Sequence, residues 1–153
     1  MARKLRTITQ AINGHLALRF GTLDNQKGRK APDVPPGHPV FRAAALRGEA
    51  LLINLFFDFC DTKGFRDPTS QMKIWDRLIA RRHMFVELCE RSNLNKYSRF
   101  LMPQDESQEY KERCYRLFCL FLHDLEVSSL DAKMFWRDVQ SLYQATIITD
   151  SQP

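Results

Sequence analysis

One stretch of the chain concentrates side chains that could do chemistry: CYRLFCLFLHD, residues 114–124. Two cysteines, a histidine and an aspartate interrupt a run that is otherwise almost wholly apolar. On a helix, Cys119 and His123 are four residues apart and share one face, a spacing that suits two zinc ligands. Cys114 lies about 140° round the helix from Cys119, because 3.6 residues make one turn. The stretch therefore raises two hypotheses, a metal site or the middle of a buried helix.

The metal hypothesis requires further ligands from other helices, and the available donors are Cys60, Cys89 and His83. No C-x₂-C or H-x₃-H pair anchors them, although structural zinc sites usually contain such pairs. The buried-helix hypothesis needs nothing more, because cysteine is among the residues most often fully buried. We therefore predict that Cys119 and His123 are core residues, and that the chain has no metal ligands and no cofactor.

A catalytic role for the same stretch meets a similar difficulty. His123 and Asp124 could orient one another as a base, but no nucleophile accompanies them. Cys119 among leucines and phenylalanines lacks the partly exposed, thiolate-stabilising setting of a reactive cysteine. The chain also contains no glycine-rich phosphate loop, no H-E-x-x-H, no G-x-S-x-G and no EF-hand loop. The sequence predicts a protein that is not an enzyme, with a metal-dependent enzyme using Cys119 and His123 as the less favoured alternative.

Charge is distributed unevenly along the chain. Residues 1–47 contain nine lysines and arginines against two aspartates, whereas 48–153 contain fourteen against sixteen acidic residues. Cationic segments suit phosphate backbones and acidic protein surfaces. Two basic clusters precede the body, and two arginines one helical turn apart could extend them. The predicted binding residues are Arg3, Lys4, Arg6, Lys27, Arg29, Lys30, Arg77 and Arg81.

These residues must be positioned by helices, because no alternating strand pattern of useful length is present. Leu5, Ile8, Ile12 and Leu16 are spaced about one turn apart and predict a short N-terminal helix over 5–20. Residues 21–39 contain four prolines and three glycines and predict an extended connector.

The remainder predicts four helices, over about 39–61, 68–91, 107–125 and 131–147, with a connector at 92–107. Asp67 and Asp131 are among the expected N-terminal caps. The last helix is expected to turn five residues inward: Met134, Phe135, Val139, Leu142 and Tyr143. The fold class is thus all-α, a four-helix bundle-like body with an additional short N-terminal helix and a Pro-rich connector. Residues 1–38 form the basic segment and 39–153 the helical body, within a single domain overall.

The expected function follows from this layout. We expect a regulatory or adaptor protein that binds a protein partner through helical faces, with the basic segment contacting an acidic protein surface or nucleic acid. A dedicated DNA- or RNA-binding protein is the alternative. Eleven phenylalanines and two tryptophans exceed what a monomer core needs, so a homodimer is also possible. No signal peptide or membrane-length apolar run is visible, which favours a soluble cytoplasmic protein without a membrane partner.

Overall fold

The computed structural model of the protein describes residues 2–20, 39–101, 109–128 and 130–151. These residues contain no strand, so the all-α prediction is confirmed. A short π-helical turn spans Asp76–Ala80. The α-helices are, in chain order, α1 (Ala2–Phe20), α2 (Pro39–Thr62), α3 (Pro68–Trp75), α4 (His83–Arg91), α5 (Leu94–Leu101), α6 (Tyr110–Val127) and α7 (Ala132–Ser151). The predicted connector at 21–38 lies outside the described residues, and the division into 1–38 and 39–153 stays a prediction.

Side chains at two helix starts behave as the sequence predicts. The Asp67 carboxylate accepts a hydrogen bond from the Ser70 backbone nitrogen at 3.0 Å, and Pro68 occupies the first turn of α3. The Asp131 carboxylate accepts one from the Met134 backbone nitrogen at 2.9 Å at the start of α7. Each bond satisfies an amide that the helix itself leaves unpaired.

The core is built around α6, which packs most extensively against α2. Nine residues of α6 are buried, among them Cys114 and Cys119, so the prediction that this stretch is core is confirmed for its cysteines, whereas His123 is only half-buried. Gly48 of α2 is also buried, and a β-carbon added there would overlap the backbone carbonyl oxygen of Cys119. The missing side chain thus lets the two helix backbones approach closely.

The prediction of one continuous helix over 68–91 is wrong. Arg82 has a backbone φ of 66° in the left-handed region, and it separates the π-helical turn from α4. A left-handed residue other than glycine costs about 1–2 kcal/mol. Its side chain makes compensating contacts: the guanidinium lies 3.5 Å from the Tyr115 ring centroid, and Nε is 2.8 Å from the Glu112 carboxylate. Contacts with α6 therefore stabilise a break that no glycine or proline marks.

The predicted connector at 92–107 contains a helix, α5. The Ser92 hydroxyl accepts a hydrogen bond from the Leu94 backbone nitrogen at 3.2 Å. The Asn93 backbone nitrogen donates to the Asn13 side chain of α1 at 2.6 Å. Leu94 and Tyr97, three residues apart, are both buried. A single apolar turn is too short a signal for sequence periodicity to recognise.

The inward face of α7 also differs from the prediction. Val139 and Leu142 are buried and Phe135 and Tyr143 half-buried, but Met134 is 60% exposed. Three residues at intervals of four occupy the interior instead, and two of them are polar: Trp136, Gln140 and Gln144. The helix is therefore rotated from the expected orientation.

Candidate functional site

The N-terminal helix divides its side chains between the core and solvent. Leu5, Ile8, Ile12 and Leu16 are buried in the same apolar cluster as the rest of the body. The basic side chains that precede and separate them, Arg3, Lys4 and Arg6, are exposed. Because α1 is anchored by its apolar stripe against α7 and α5, these three charges are carried on a fixed surface rather than on a separate arm.

A polar cluster fastens the other end of α1 to α6. His15 Nε2 lies 2.6 Å from the Asp124 carboxylate, and Arg19 Nε lies 3.0 Å from the same oxygen. An ionised carboxylate only accepts hydrogen bonds, so His15 Nε2 carries the hydrogen. The His15 ring also packs edge-on against Phe121, with centroids 5.3 Å apart. The sequence analysis paired Asp124 with His123, but in the structure its carboxylate binds His15 and Arg19 of α1.

The charge of Asp124 is stabilised in the folded protein. Burial acts to raise the pKa of this carboxyl group, but hydrogen bonds from His15 and Arg19 outweigh burial and lower the pKa below its ordinary value. The same contact raises the pKa of Arg19. The cluster therefore contributes to stability at neutral pH, and it leaves Asp124 poorly suited to act as a general base.

A groove of about 660 Å³ runs between the start of α1 and the end of α4. Arg6 and Arg91 contribute guanidinium groups from opposite sides, and Leu5 contributes apolar surface. The one acidic residue of the lining, Glu87, already accepts a hydrogen bond from the Tyr143 hydroxyl at 2.7 Å. The complete lining is Ala2, Leu5, Arg6, Thr9, Gln10, Glu87 and Arg91. We refer to it as the α1–α4 groove.

The structure brings only some of the predicted binding residues to this groove. Arg6 lines it, and Arg3 is exposed one helical turn before Arg6. Arg77 and Arg81 are exposed but do not line it. Arg81 precedes α4 whereas Arg91 ends it, so about 13 Å of helix lies between them. Lys27, Arg29 and Lys30 lie outside the described residues, and their role stays a prediction.

Sequence reasoning missed Arg91. Its position in the last turn of α4 is the ordinary place for a basic residue, because cations interact favourably with the carboxyl end of a helix. No sequence signal distinguishes it from other arginines. Its significance comes from the tertiary structure, in which the end of α4 lies across the groove from Arg6 of α1.

Cys119 and His123, the pair that the sequence singled out, are not joined by further metal ligands among the described residues. Cys119 is 1% exposed, and burial is the main reason that its pKa rises to about 12. His123 is half-buried. Among the described residues, no group of three or more histidine, cysteine, aspartate or glutamate side chains is arranged to hold a metal ion.

Comparison with protein-family models finds no match, and neither a curated protein nor a solved structure shows significant similarity to the chain. Within the residues that the structure describes, no helix is both long enough and apolar enough to span a bilayer.

Proposed function

We propose that the chain is a non-enzymatic adaptor or regulatory protein that binds an acidic protein partner through its helical faces. The α1–α4 groove would be the contact surface, with Arg3, Arg6 and Arg91 supplying positive charge. The observation that carries the proposal is the division of α1, whose apolar stripe is buried while its basic residues stay exposed beside a groove.

The chemistry of the groove favours an acidic partner with some apolar surface. Two guanidinium groups face the groove, and its single carboxylate is engaged by Tyr143. Arginine forms bidentate hydrogen bonds with carboxylates, so acidic side chains would be bound with defined geometry. Leu5, Ala2 and the aliphatic parts of the arginines add apolar contact. A rigid surface also avoids the entropy cost that a disordered arm would incur on binding.

Further apolar side chains on the described surface support binding through helical faces. Leu18 of α1 is 85% exposed, and Val127, Leu130 and Met134 are exposed around the connection between α6 and α7. Exposed leucines and methionines are common at interfaces that bury them. These exposed apolar side chains could equally be buried between two copies of the chain in a homodimer. That state, and a cytoplasmic location, stay predictions.

The proposal is tested with the full-length chain, because removing residues 1–38 would remove four core side chains together with the basic residues. Wild type, the double variant Arg6→Glu/Arg91→Glu and the control Arg42→Glu are used as baits in native lysate, with and without nuclease. Arg42 is exposed on α2 and does not line the groove.

We expect acidic proteins to be captured by wild type and Arg42→Glu, to resist nuclease, and to bind the double variant about tenfold more weakly. That factor assumes about 0.5–1 kcal/mol for each reversed surface charge. Capture that disappears with nuclease would favour the nucleic-acid alternative, and a steep loss of duplex DNA binding with salt would support it. Equal capture by all three baits would show that the groove is not the contact surface.

A further inference from the structure

Two of the four cysteines lie side by side between α4 and α6. Cys89 is in the last turns of α4, Cys114 is in the second turn of α6, and neither is exposed to solvent. The Cys89 thiol lies 3.5 Å from the Cys114 backbone carbonyl oxygen, to which it can donate. The two side chains are close enough for each to change the pKa of the other. The two cysteines are thus neighbours across the contact between α4 and α6, which is the first condition for a disulfide between them.

The surroundings of the pair give the two sulfur atoms different roles. The hydrogen bond from Cys89 lowers the pKa of Cys114 despite burial, with further help from the Tyr110 hydroxyl and Arg113, against a smaller opposing effect of Glu90. The same contact, together with burial, raises the pKa of Cys89 well above its ordinary value. Cys114 is therefore the thiol that ionises first, while Cys89 retains its proton.

The other two cysteines lack this arrangement. Burial raises the pKa of Cys60, whose sulfur lies 3.7 Å from the Gln140 amide nitrogen. Burial likewise raises the pKa of Cys119. Oxidation follows thiolate character, so these two thiols are expected to resist oxidants that react with Cys114.

We propose that Cys89 and Cys114 form an oxidative modification site, at which a peroxide converts the two thiols into an intrachain disulfide joining α4 to α6. The Cys114 thiolate attacks one peroxide oxygen, the O–O bond breaks, and the departing hydroxide takes a proton and leaves as water. The resulting sulfenic acid is attacked by the Cys89 sulfur, which gives up its proton as the S–O bond breaks and a second water leaves. Two thiols are thereby oxidised and one hydrogen peroxide is reduced to two waters.

Access to the pair is through the beginning of α6. Tyr110 is the first residue of that helix, is itself exposed, and donates its hydroxyl hydrogen to the Glu90 carboxylate at 3.1 Å, and it contributes to the lowered pKa of Cys114. Helix ends open more readily than helix centres, so a small oxidant would reach Cys114 by local opening rather than global unfolding. The reaction is accordingly expected to be slow in the native protein and to depend on the Tyr110 hydroxyl. This inference does not rest on the proposed binding function.

The test treats folded full-length protein with hydrogen peroxide, blocks remaining thiols with iodoacetamide, and maps tryptic peptides by mass spectrometry. Trypsin releases Cys89 within residues 83–91 and Cys114 within 114–116. We expect these two peptides to be joined, with the loss of two hydrogen atoms, and to separate on reduction. Cys60→Ser should leave the cross-link unchanged. Cys89→Ser should abolish it and leave a sulfenic acid at Cys114 that dimedone traps.

A second measurement separates reactivity from packing. Tyr110→Phe keeps the ring but removes the hydroxyl that helps to lower the pKa of Cys114, so the rate of oxidation should fall at neutral pH and recover at higher pH. The inference is overturned if folded wild type keeps four alkylatable thiols after prolonged peroxide treatment. It is equally overturned if the cross-link joins other cysteines, or if Cys89→Ser protein is oxidised no differently at Cys114.

Discussion

Replacing Gly48 with alanine tests the close approach of α2 and α6 directly. A β-carbon at position 48 would overlap the Cys119 carbonyl oxygen and lie 2.5 Å from its carbonyl carbon. Both atoms belong to backbone, so no side-chain rotation relieves the contact. Gly14 of α1 is the matched control, because a β-carbon there meets nothing within 4 Å. Both glycines are inside helices.

The loss of stability expected for Gly48→Ala follows from these distances. Carbon atoms pack best at about 3.5–4.0 Å, and the Cys119 carbonyl oxygen is nearer still to the added methyl group than the carbonyl carbon, so α2 and α6 must separate by more than about 1 Å. Since a gap of about 0.5–1 Å already forfeits about a quarter to a half of the dispersion energy of a contact, the loss falls on the most extensive helix contact of the fold. Gly48→Ala should therefore lower the free energy of unfolding by about 2–3 kcal/mol, even after the gain in helix propensity. Gly14→Ala should raise it by about 0.5–1 kcal/mol.

Urea unfolding followed by far-ultraviolet circular dichroism measures both changes. With a typical slope of about 2 kcal/mol per molar, the midpoint should fall by about 1 M for Gly48→Ala and rise by about 0.3 M for Gly14→Ala. A neutral or stabilising Gly48→Ala would refute the closeness of the two backbones. A destabilising Gly14→Ala would contradict the open helical environment of that residue.

Three further outcomes concern contacts of α6. Asp124→Ala should lower the free energy of unfolding by about 2–4 kcal/mol in urea titrations, because it leaves the buried His15 without its partner, whereas the exposed neighbour Glu126→Ala should change it by less than about 0.5 kcal/mol. Because the folded pKa of Asp124 is below its unfolded value of about 3.9, this contribution is fully present above that pH and is lost as pH falls through the folded pKa. The stabilities of wild type and Asp124→Ala should therefore begin to converge as pH falls below about 4 and become equal only below the folded pKa, and a constant difference down to acid pH would contradict the charged contact. Arg82→Ala should cost about 1–2 kcal/mol in thermal or urea unfolding through loss of the Tyr115 and Glu112 contacts, and an equal effect of Arg81→Ala would exclude that explanation.

The spacing of apolar residues correctly predicted which side chains are buried in α1 and α6. The stripe from Leu5 to Leu16 is buried as its spacing implies, and the apolar run of α6 is the centre of the core. In α1 a small rotation would leave the apolar stripe in water, whereas in α6 six consecutive buried residues, 117–122, are apolar all round and are buried whatever the rotation. The hydrophobic effect then fixes the orientation of α1 before any partner is known.

The orientation of α7 could not be predicted in this way. The predicted inward face included Met134, which is exposed, and omitted Gln140, which is buried. Gln140 is tolerated in the interior because its amide nitrogen donates to the Gln144 side chain at 3.0 Å and also lies 3.7 Å from the Cys60 sulfur. These contacts reduce the cost of burying the amide nitrogen, while the Gln140 side-chain oxygen is buried without a hydrogen-bond partner. Sequence periodicity specifies neither the contact with Cys60 of α2 nor the burial of an unpaired oxygen.

The candidate site was predictable on one side only. The exposure of Arg3, Lys4 and Arg6 follows from their places before and between the buried residues of α1. The groove needs a second wall, which α4 supplies together with Arg91. The position of α4 depends in turn on the break at Arg82, and that break is stabilised by contacts with α6 rather than by local turn chemistry. The position of α4, and with it that of Arg91, therefore depends on tertiary contacts that the sequence pattern does not reveal.

The contacts of Asp124 with α1 hold the described part of the basic segment against the folded body. His15 and Asp124 are 109 residues apart in the chain, yet their side chains form one of the shortest hydrogen bonds in the described protein. Together with the apolar stripe, it makes α1 part of the folded body rather than an independent tail. A ligand that binds only the folded form stabilises it by mass action. A partner that binds Arg6 and Arg91 together would therefore recognise the docked position of α1 and raise the stability of the whole fold, whereas a partner that bound the basic residues of a detached α1 would lower it.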